Sequence, residues 1–403
     1  MFMKKLWVVF LSLPFLLNAA PADQNKAHEA LKKGVDYLLA QQQDDGSWAN
    51  HPAMTGLACM ALKDCDYKDQ KKLNTAIEKG REFMLKFVQP DGSINLAQNK
   101  RGPGIPIYVT SICLSTLAII DNPKDKKVMR SARNYLLNNQ KNENFVVDGK
   151  SQPVSKDNYQ YGGFGYSGKT RPDLSNTQWA MEALALTEKL DDETNGGTPE
   201  DRKKSEIAWK SALQFVSSVQ NLPSKNKATW VKANPDKENE GAFIYCEDSF
   251  KYKDKKQNLK SLPTYYGSLT YAGVKSLIYA KLNKNDERFK AAWDWITRNY
   301  NLDANPRMGA DGYYYYMVTF AKTMQIADRD FIETKDGKKH YWRKEFQDKA
   351  VELQQDDGSW VNDKSGRWWE SQPVLVSSYM VLSLKLALSP YDGSNKKEKT
   401  VNN

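Results

Sequence analysis

Hydrophobic and polar positions divide this chain into two alternating kinds of helical segment. In the first kind apolar residues fall three and four apart, as Leu31, Val35, Leu38 and Leu39 do, leaving a polar opposite face that predicts an amphipathic outer helix. In the second kind nearly every position is apolar, and a helix of that sort must be covered on all sides. The outer segments share a small residue, two variable positions, an aromatic and an aliphatic: Gly34 to Tyr37-Leu38, Gly80 to Phe83-Met84, Ala132 to Tyr135-Leu136, Ala212 to Phe215-Val216, and Ala292 to Trp295-Ile296. A glutamine follows in three of them, at Gln42, Gln140 and Gln220. The inner segments align on Thr or Ser with Leu seven residues later: Thr55 to Leu62, Thr110 to Leu117, Thr177 to Leu184, Thr270 to Leu277 and Ser377 to Leu384, with Met317 and Met324 in the fifth.

This alternation predicts six helix pairs, over 26–64, 73–121, 126–190, 203–281, 286–333 and 341–389. Polar insertions near 143–174 and 222–264 interrupt the third and fourth pairs, and no linker divides the array, so 26–389 reads as one domain. The Lys- and Asn-rich stretch 390–403 reads as a disordered polar tail. Gln-Asp-Asp-Gly-Ser-Trp stands in both terminal units, at Gln43–Trp48 and Gln355–Trp360. Open solenoids end in atypical, polar repeats, so this identity predicts a ring whose first and last pairs are neighbours.

Lys33-Gly34, Tyr37-Leu38, Gln42, Gly46 and Trp48 resemble the QW motif of squalene and terpenoid cyclases, and Gln354, Gly358 and Trp360 match its second half. The six-fold pattern resembles the α/α-toroid of those cyclases and of protein prenyltransferase β-subunits, and it is similar to bacterial exported prenyltransferase/squalene oxidase repeat-containing proteins. The resemblance implies an all-α toroid of about six inner and outer helix pairs. It also implies that the glutamine ties a helix end to its turn while the tryptophan stacks on the neighbouring repeat. Gly162 to Tyr166 followed by Asp173 to Gln178 is similar to a segment of bacterial repeat proteins in this superfamily. Ser175 or Asn176 is predicted there as the N-cap of the inner helix, with Asp173 beside its positive end; direct ligand contact is the alternative.

Composition adds compartment and partners. Lys4 and Lys5, the apolar run Leu6–Leu17 and Ala20-Pro21-Ala22 read as a secretory signal peptide over 1–22. The run falls short of the roughly 20 residues of a membrane-spanning helix. An uncleaved anchor is the rival, and no later stretch is apolar enough to span. The expected location is secreted or periplasmic. The net charge of +10, or +8 without Lys4 and Lys5, is spread along the chain, which disfavours nucleic acid and leaves a weak attraction to acidic surfaces. Four cysteines, Cys59, Cys65, Cys113 and Cys246, are too few for a disulfide scaffold but permit one bridge.

The chemistry of the resembled families finds no matching residues. No Asp-x-Asp-Asp string is present, and Asp64-Cys65-Asp66 reads as a solvated turn. Asp191-Asp192-Glu193 is a poor diphosphate-ionising site, and His28, His51 and His340 do not complete a zinc set with Cys246-Glu247-Asp248. The thioester signature of complement-type toroids is also missing. Gly163 to Thr170 fits a phosphate-loop pattern, but Arg171-Pro172 disfavours the helix such a loop must open. No metal or cofactor is expected. Aromatics precede the inner helices at Tyr161 and Tyr166, Tyr265 and Tyr266, Tyr313 to Tyr316, and Trp368 and Trp369. In a ring they would converge on one mouth, either bracing its loops or holding a small apolar or glycan ligand. The candidate ligand-binding residues are Asp173, Asn176, Gln178, Glu182, Tyr166, Tyr266 and Trp369. The expected function is an exported cyclase/prenyltransferase-like repeat protein that binds a ligand or partner through its centre. The alternative is a divergent cyclase or carbohydrate-active enzyme using carboxylates for acid/base work. Enzymatic status and oligomeric state stay open.

Overall fold

A computed structural model describes residues 22–96, 104–233, 236–247 and 264–390. The predicted leader, apart from Ala22, and the tail from residue 391 lie outside the described residues. The fold is all-α. Its inner helices are α2 (Pro52–Leu62), α4 (Pro106–Ile120), α6 (Leu174–Leu186), α9 (Gly267–Tyr279), α11 (Tyr313–Ala327) and α13 (Pro373–Leu388). Each packs on the next and α13 returns to α2, so the six close into a ring. Outside it lie α1 (Ala22–Ala40), α3 (Gln70–Leu85), α5 (Lys126–Asn139), α7 (Pro199–Ser218), α10 (Glu287–Asn299) and α12 (Trp342–Leu353). A short α8 (Thr229–Ala233) sits in the fourth insertion, and small hairpins pair 146–147 with 150–151 and 332–333 with 339–340. Among the described residues no helix is long and apolar enough to cross a membrane.

Proline at the first turn starts α2, α4 and α13, where its missing N–H breaks no helical bond. The outer helix of the fourth pair begins at Pro199 rather than near 203, because Thr198 and Asp201 form a capping box just ahead of the apolar pattern.

The inner Thr/Ser column has one repeated task. Thr55 accepts the backbone N–H of Trp48, Thr110 that of Ile94, Thr177 that of Phe164, Thr270 that of Phe243, and Ser377 that of Trp360. A buried hydroxyl thereby satisfies the amide of the apolar residue that plugs each turn.

The glutamines link neighbouring pairs. Gln42 Nε2 donates to Gly46 O at 3.0 Å and to Ala76 O on α3 at 2.8 Å. Gln140 reaches Gly162 O and Ala208 O, and Gln220 reaches Gly241 O and Arg288 O. Gln354 does the same across the seam, donating to Gly358 O at 2.9 Å and to Ala30 O on α1 at 2.8 Å. The second pair departs from this pattern: among the described residues Gln89 bonds only within its own turn, to Phe87 O and Asn95 O.

Small residues follow from the same contacts. A Cβ on Gly34 would lie 2.6 Å from the Trp360 ring, and one on Gly80 would lie 3.0 Å from that of Trp48. Each tryptophan is fully buried against the next outer helix. None of the four cysteines is in a disulfide, and all four are buried; burial pushes the Cys65 thiol up to about 11.

Candidate functional site

The N-terminal ends of the inner helices meet at one end of the ring, its mouth, and α6 supplies the polar centre there. Asp173 is the N-cap of α6: its Oδ1 accepts from Asn176 N at 2.8 Å and its carbonyl from Thr177 N at 3.0 Å. The cap predicted at Ser175 or Asn176 is therefore corrected to Asp173. Arg171 precedes a proline and stays out of the helix, while Leu174 N is taken by Tyr245 O, which fixes the helix start there. Asn176 then sits inside the first turn, where its Nδ2 donates to Asp173 Oδ2 at 2.7 Å. Ser175 Oγ meets the Tyr315 hydroxyl at 2.9 Å, and Gln178 Nε2 donates to the same hydroxyl at 3.1 Å.

Six tyrosines from five repeats surround this centre. The Tyr245 hydroxyl stands beside both Asp173 and Tyr166, and that of Tyr108 beside Tyr379. The Tyr108 ring lies 6.2 Å from both Tyr166 and Trp179. Tyr266, at the cap of α9, stands near Tyr315 and Asp173. The rings of Tyr108, Tyr166, Tyr245, Tyr266 and Tyr315 keep partial exposure, yet burial raises every one of their hydroxyl pKa values. Burial likewise lifts Asp173 to about 6, against the pull of its bonds from Asn176 and of the Tyr245 hydroxyl.

The rim comes from the last repeat. Glu370 accepts from Tyr315 N at 2.7 Å and from Asn362 Nδ2 at 2.8 Å, capping α11 from outside, and burial raises its pKa. Trp368 and Trp369 follow Arg367 in left-handed backbone, at φ 55° and 69°. Arg367 lies 4.2 Å over the Trp368 ring. Trp369 is 65% exposed.

Deeper along the inner helices lies a buried charged cluster. Glu182 accepts from Lys275 Nζ at 2.5 Å and from Lys322 Nζ at 2.6 Å. Burial opposes its ionisation, yet the two ammonium groups hold it down at about 2. Burial also lowers Lys275 to about 8. Both ammonium groups face the Trp179 ring, at 5.2 and 4.5 Å from its centroid. Three buried side-chain atoms of this column have no hydrogen-bond partner among the described residues: Asn176 Oδ1, Gln178 Oε1 and Trp179 Nε1.

Of the predicted ligand residues, Asp173, Asn176, Gln178, Tyr166 and Tyr266 meet at the mouth, Trp369 stands on its rim, and Glu182 lies a turn deeper, held by lysines. Sequence reasoning missed Tyr108, Tyr245, Tyr379, Trp179, Lys275 and Lys322. The lysines had a signal, since a lone charge in an otherwise apolar helix such as α9 or α11 needs a buried partner. Elsewhere Asp191 pairs with the Arg133 guanidinium through Nε at 2.8 Å and Nη2 at 2.5 Å, a brace between outer helix and turn. In the Gly163–Thr170 stretch Lys169 pairs with Asp148 at 2.9 Å, and the helix starts only at Leu174. Among the described residues no three His, Cys, Asp or Glu side chains group as metal ligands.

No protein-family model matches the chain. No curated protein matches it either. Solved structures do. A variant of the type II terpene cyclase MstE from Scytonema, in complex with geranylgeranyl dihydroxybenzoate, is 12% identical with a TM-score of 0.51, over 92% of this chain and 99% of that one. Another variant of the same cyclase, without ligand, is 12% identical at 0.51, over 91% and 98%. A glycosidase variant is 12% identical at 0.50, over 93% and 100%. At these identities the likeness is one of fold: the chain has the helical toroid of type II terpene cyclases and glycosidases.

Proposed function

We propose that the chain is an exported binding protein whose tyrosine-lined mouth takes a sugar. The observation that carries this is the pairing of aromatic faces with unpartnered acceptors. A buried acceptor left unmade costs about 1–3 kcal/mol, and Asn176 Oδ1 and Gln178 Oε1 both lack a donor among the described residues. An isoprenoid hydrocarbon offers them none, whereas a sugar brings hydroxyl donors on one edge and an apolar C–H face for Tyr108, Tyr166, Tyr266 or Tyr315. Trp369 extends the aromatic surface to the rim. The test is calorimetric titration of the secreted protein with mono- and oligosaccharides and, separately, with a C20 isoprenoid alcohol. Sugar binding that weakens at least about tenfold in Gln178→Ala supports the reading; binding of the isoprenoid alone would sink it.

A catalytic reading draws on one observation, the raised pKa of Asp173, which makes a carboxylic acid available near pH 6. Hydrolysis by paired carboxylates needs two groups converging on one bond. Here Asp173 is tied to Asn176 beside the Tyr245 hydroxyl, and the buried Glu370 is tied to the α11 terminus. Binding therefore fits the geometry better. Turnover of aryl glycosides that disappears in Asp173→Asn would reverse the preference.

A further inference from the structure

Deep in the ring, donors outnumber acceptors. Each lysine ammonium carries three N–H donors, and Lys275 and Lys322 each give one to Glu182. The Trp179 indole N–H beside them has no acceptor among the described residues. Two ammonium groups against one carboxylate leave one positive charge in excess. Lys275 and Glu182 keep only 1% and 6% of their side-chain exposure, and Lys322 keeps 10%, so water screens that charge poorly.

The other lysine near this cluster is already compensated. Lys385 donates to Met60 O at 3.0 Å, to Ala61 O at 3.3 Å and to Lys63 O, and so caps the negative end of α2. No carbonyl does this for Lys275 or Lys322 among the described residues. Their surplus sits directly beneath the mouth. Gln178, which bonds the Tyr315 hydroxyl, is one turn above Glu182 on α6, and Tyr315 is two turns, about 10 Å, above Lys322 on α11.

We infer that Lys275, Lys322 and the Trp179 indole form an anion-accepting floor, and that the sugar of the mouth is an acidic one whose carboxylate seats there. The inference rests on the sugar-binding reading for its ligand, while the floor itself has an independent probe. A carboxylate supplies the missing negative charge and accepts from both ammonium groups and the indole, which are charge-assisted bonds in a dry site. A neutral sugar leaves the excess charge and the orphan N–H as they are.

The experiment is calorimetry on the full chain with methyl glucuronide, methyl glucoside and formate. Wild type is expected to bind the glucuronide about tenfold tighter than the glucoside, and to bind formate competitively with it. Lys322→Gln leaves Lys275 and Glu182 as a neutral pair, so it should keep the glucoside and lose both the preference and formate. Lys322→Arg should keep the preference, and Trp179→Phe should reduce it without abolishing glucoside binding. Melting followed by circular dichroism checks that each variant folds. Equal binding of the two sugars by wild type, or a preference that survives Lys322→Gln, overturns the floor. Formate binding lost in Lys322→Gln with neither sugar bound keeps the floor and removes the sugar reading. Silence from all three ligands removes both.

Discussion

Asp173 carries two demands that oppose each other. As N-cap of α6 it serves best ionised, beside the positive end of the helix. As a side chain only 2% exposed it is favoured neutral. Burial wins, raising it from 3.8 to about 6. A carboxyl whose folded pKa lies above its unfolded value binds more protons when folded. Its stabilisation is therefore complete below pH 3.8 and is lost as pH rises through about 6. At ~1.4 kcal/mol per unit, that loss is on the order of 2–3 kcal/mol. Asp173→Asn keeps a capping oxygen and cannot titrate, so the variant should gain on wild type by this amount between pH 4 and pH 7. Urea unfolding at four pH values measures it, and two parallel stability curves would refute the assignment. None of this is visible in the string Asp173-Leu174-Ser175-Asn176. The capping position is set by Pro172 and by Tyr245 O, which arrives from a different repeat. Lys275 announces itself as a charge in an apolar helix, but its partner Glu182 is 93 residues away, and no local pattern names that pairing.

At the level of elements, the turn between the outer and the inner helix in the first, third, fourth and sixth pairs is a joint with three fixed parts. The glutamine binds the turn and the next outer helix, the Thr or Ser holds the plug amide, and the glycine lets the chains approach. Gly358 has φ +87°, and a Cβ there would stand 2.6 Å from Lys33 O. Gly358→Ala therefore combines left-handed strain of about 1–2 kcal/mol with a backbone clash, and a loss of at least about 2 kcal/mol is expected. Gln354→Ala removes two bonds, to Ala30 O and Gly358 O, each worth about 0.5–1.5 kcal/mol, for a loss of about 1–3 kcal/mol. A shift in urea midpoint with unchanged slope tests both, and neutrality in either variant would contradict the joint. Arg133→Ala removes the partner of buried Asp191 and should cost about 3–5 kcal/mol. These joints were legible because one residue type recurs in one register: the spacing from Thr55 to Leu62 returns at Ser377 to Leu384. The arginine braces were less so. Gly80-Arg81 and Ala132-Arg133 share a position, and their partners Asp125 and Asp191 sit in turns whose spacing differs.

For the molecule as a whole, the question is whether α1 behaves as an end. In a linear array the terminal repeat has one neighbour, its amides exchange by fraying, and stability falls off toward both ends. Here α1 packs on both α12 and α13. Trp360 fills the space over Gly34, and Gln354 bonds Ala30 O, as Trp48 and Gln42 do at Gly80 and Ala76. The first outer helix thus receives from the last repeat the same Trp and Gln contacts that the second receives from the first, and its buried Leu31, Val35 and Leu38 belong to one continuous core. Closure also assembles the tyrosine cluster, whose members come from α4, α11 and α13 and from the loops before α6 and α9. A ring that opened between α13 and α2 would separate Tyr379 from Tyr108. Hydrogen exchange read by mass spectrometry on the native protein should therefore find the amides of Leu31–Leu39 as protected as those of Ile77–Leu85. Exchange in α1 about a hundredfold faster than in α3, corresponding to ~2.7 kcal/mol less local stability, would show a frayed end. It would also mean that the Trp360 and Gln354 contacts across the seam do not hold the ring shut in solution.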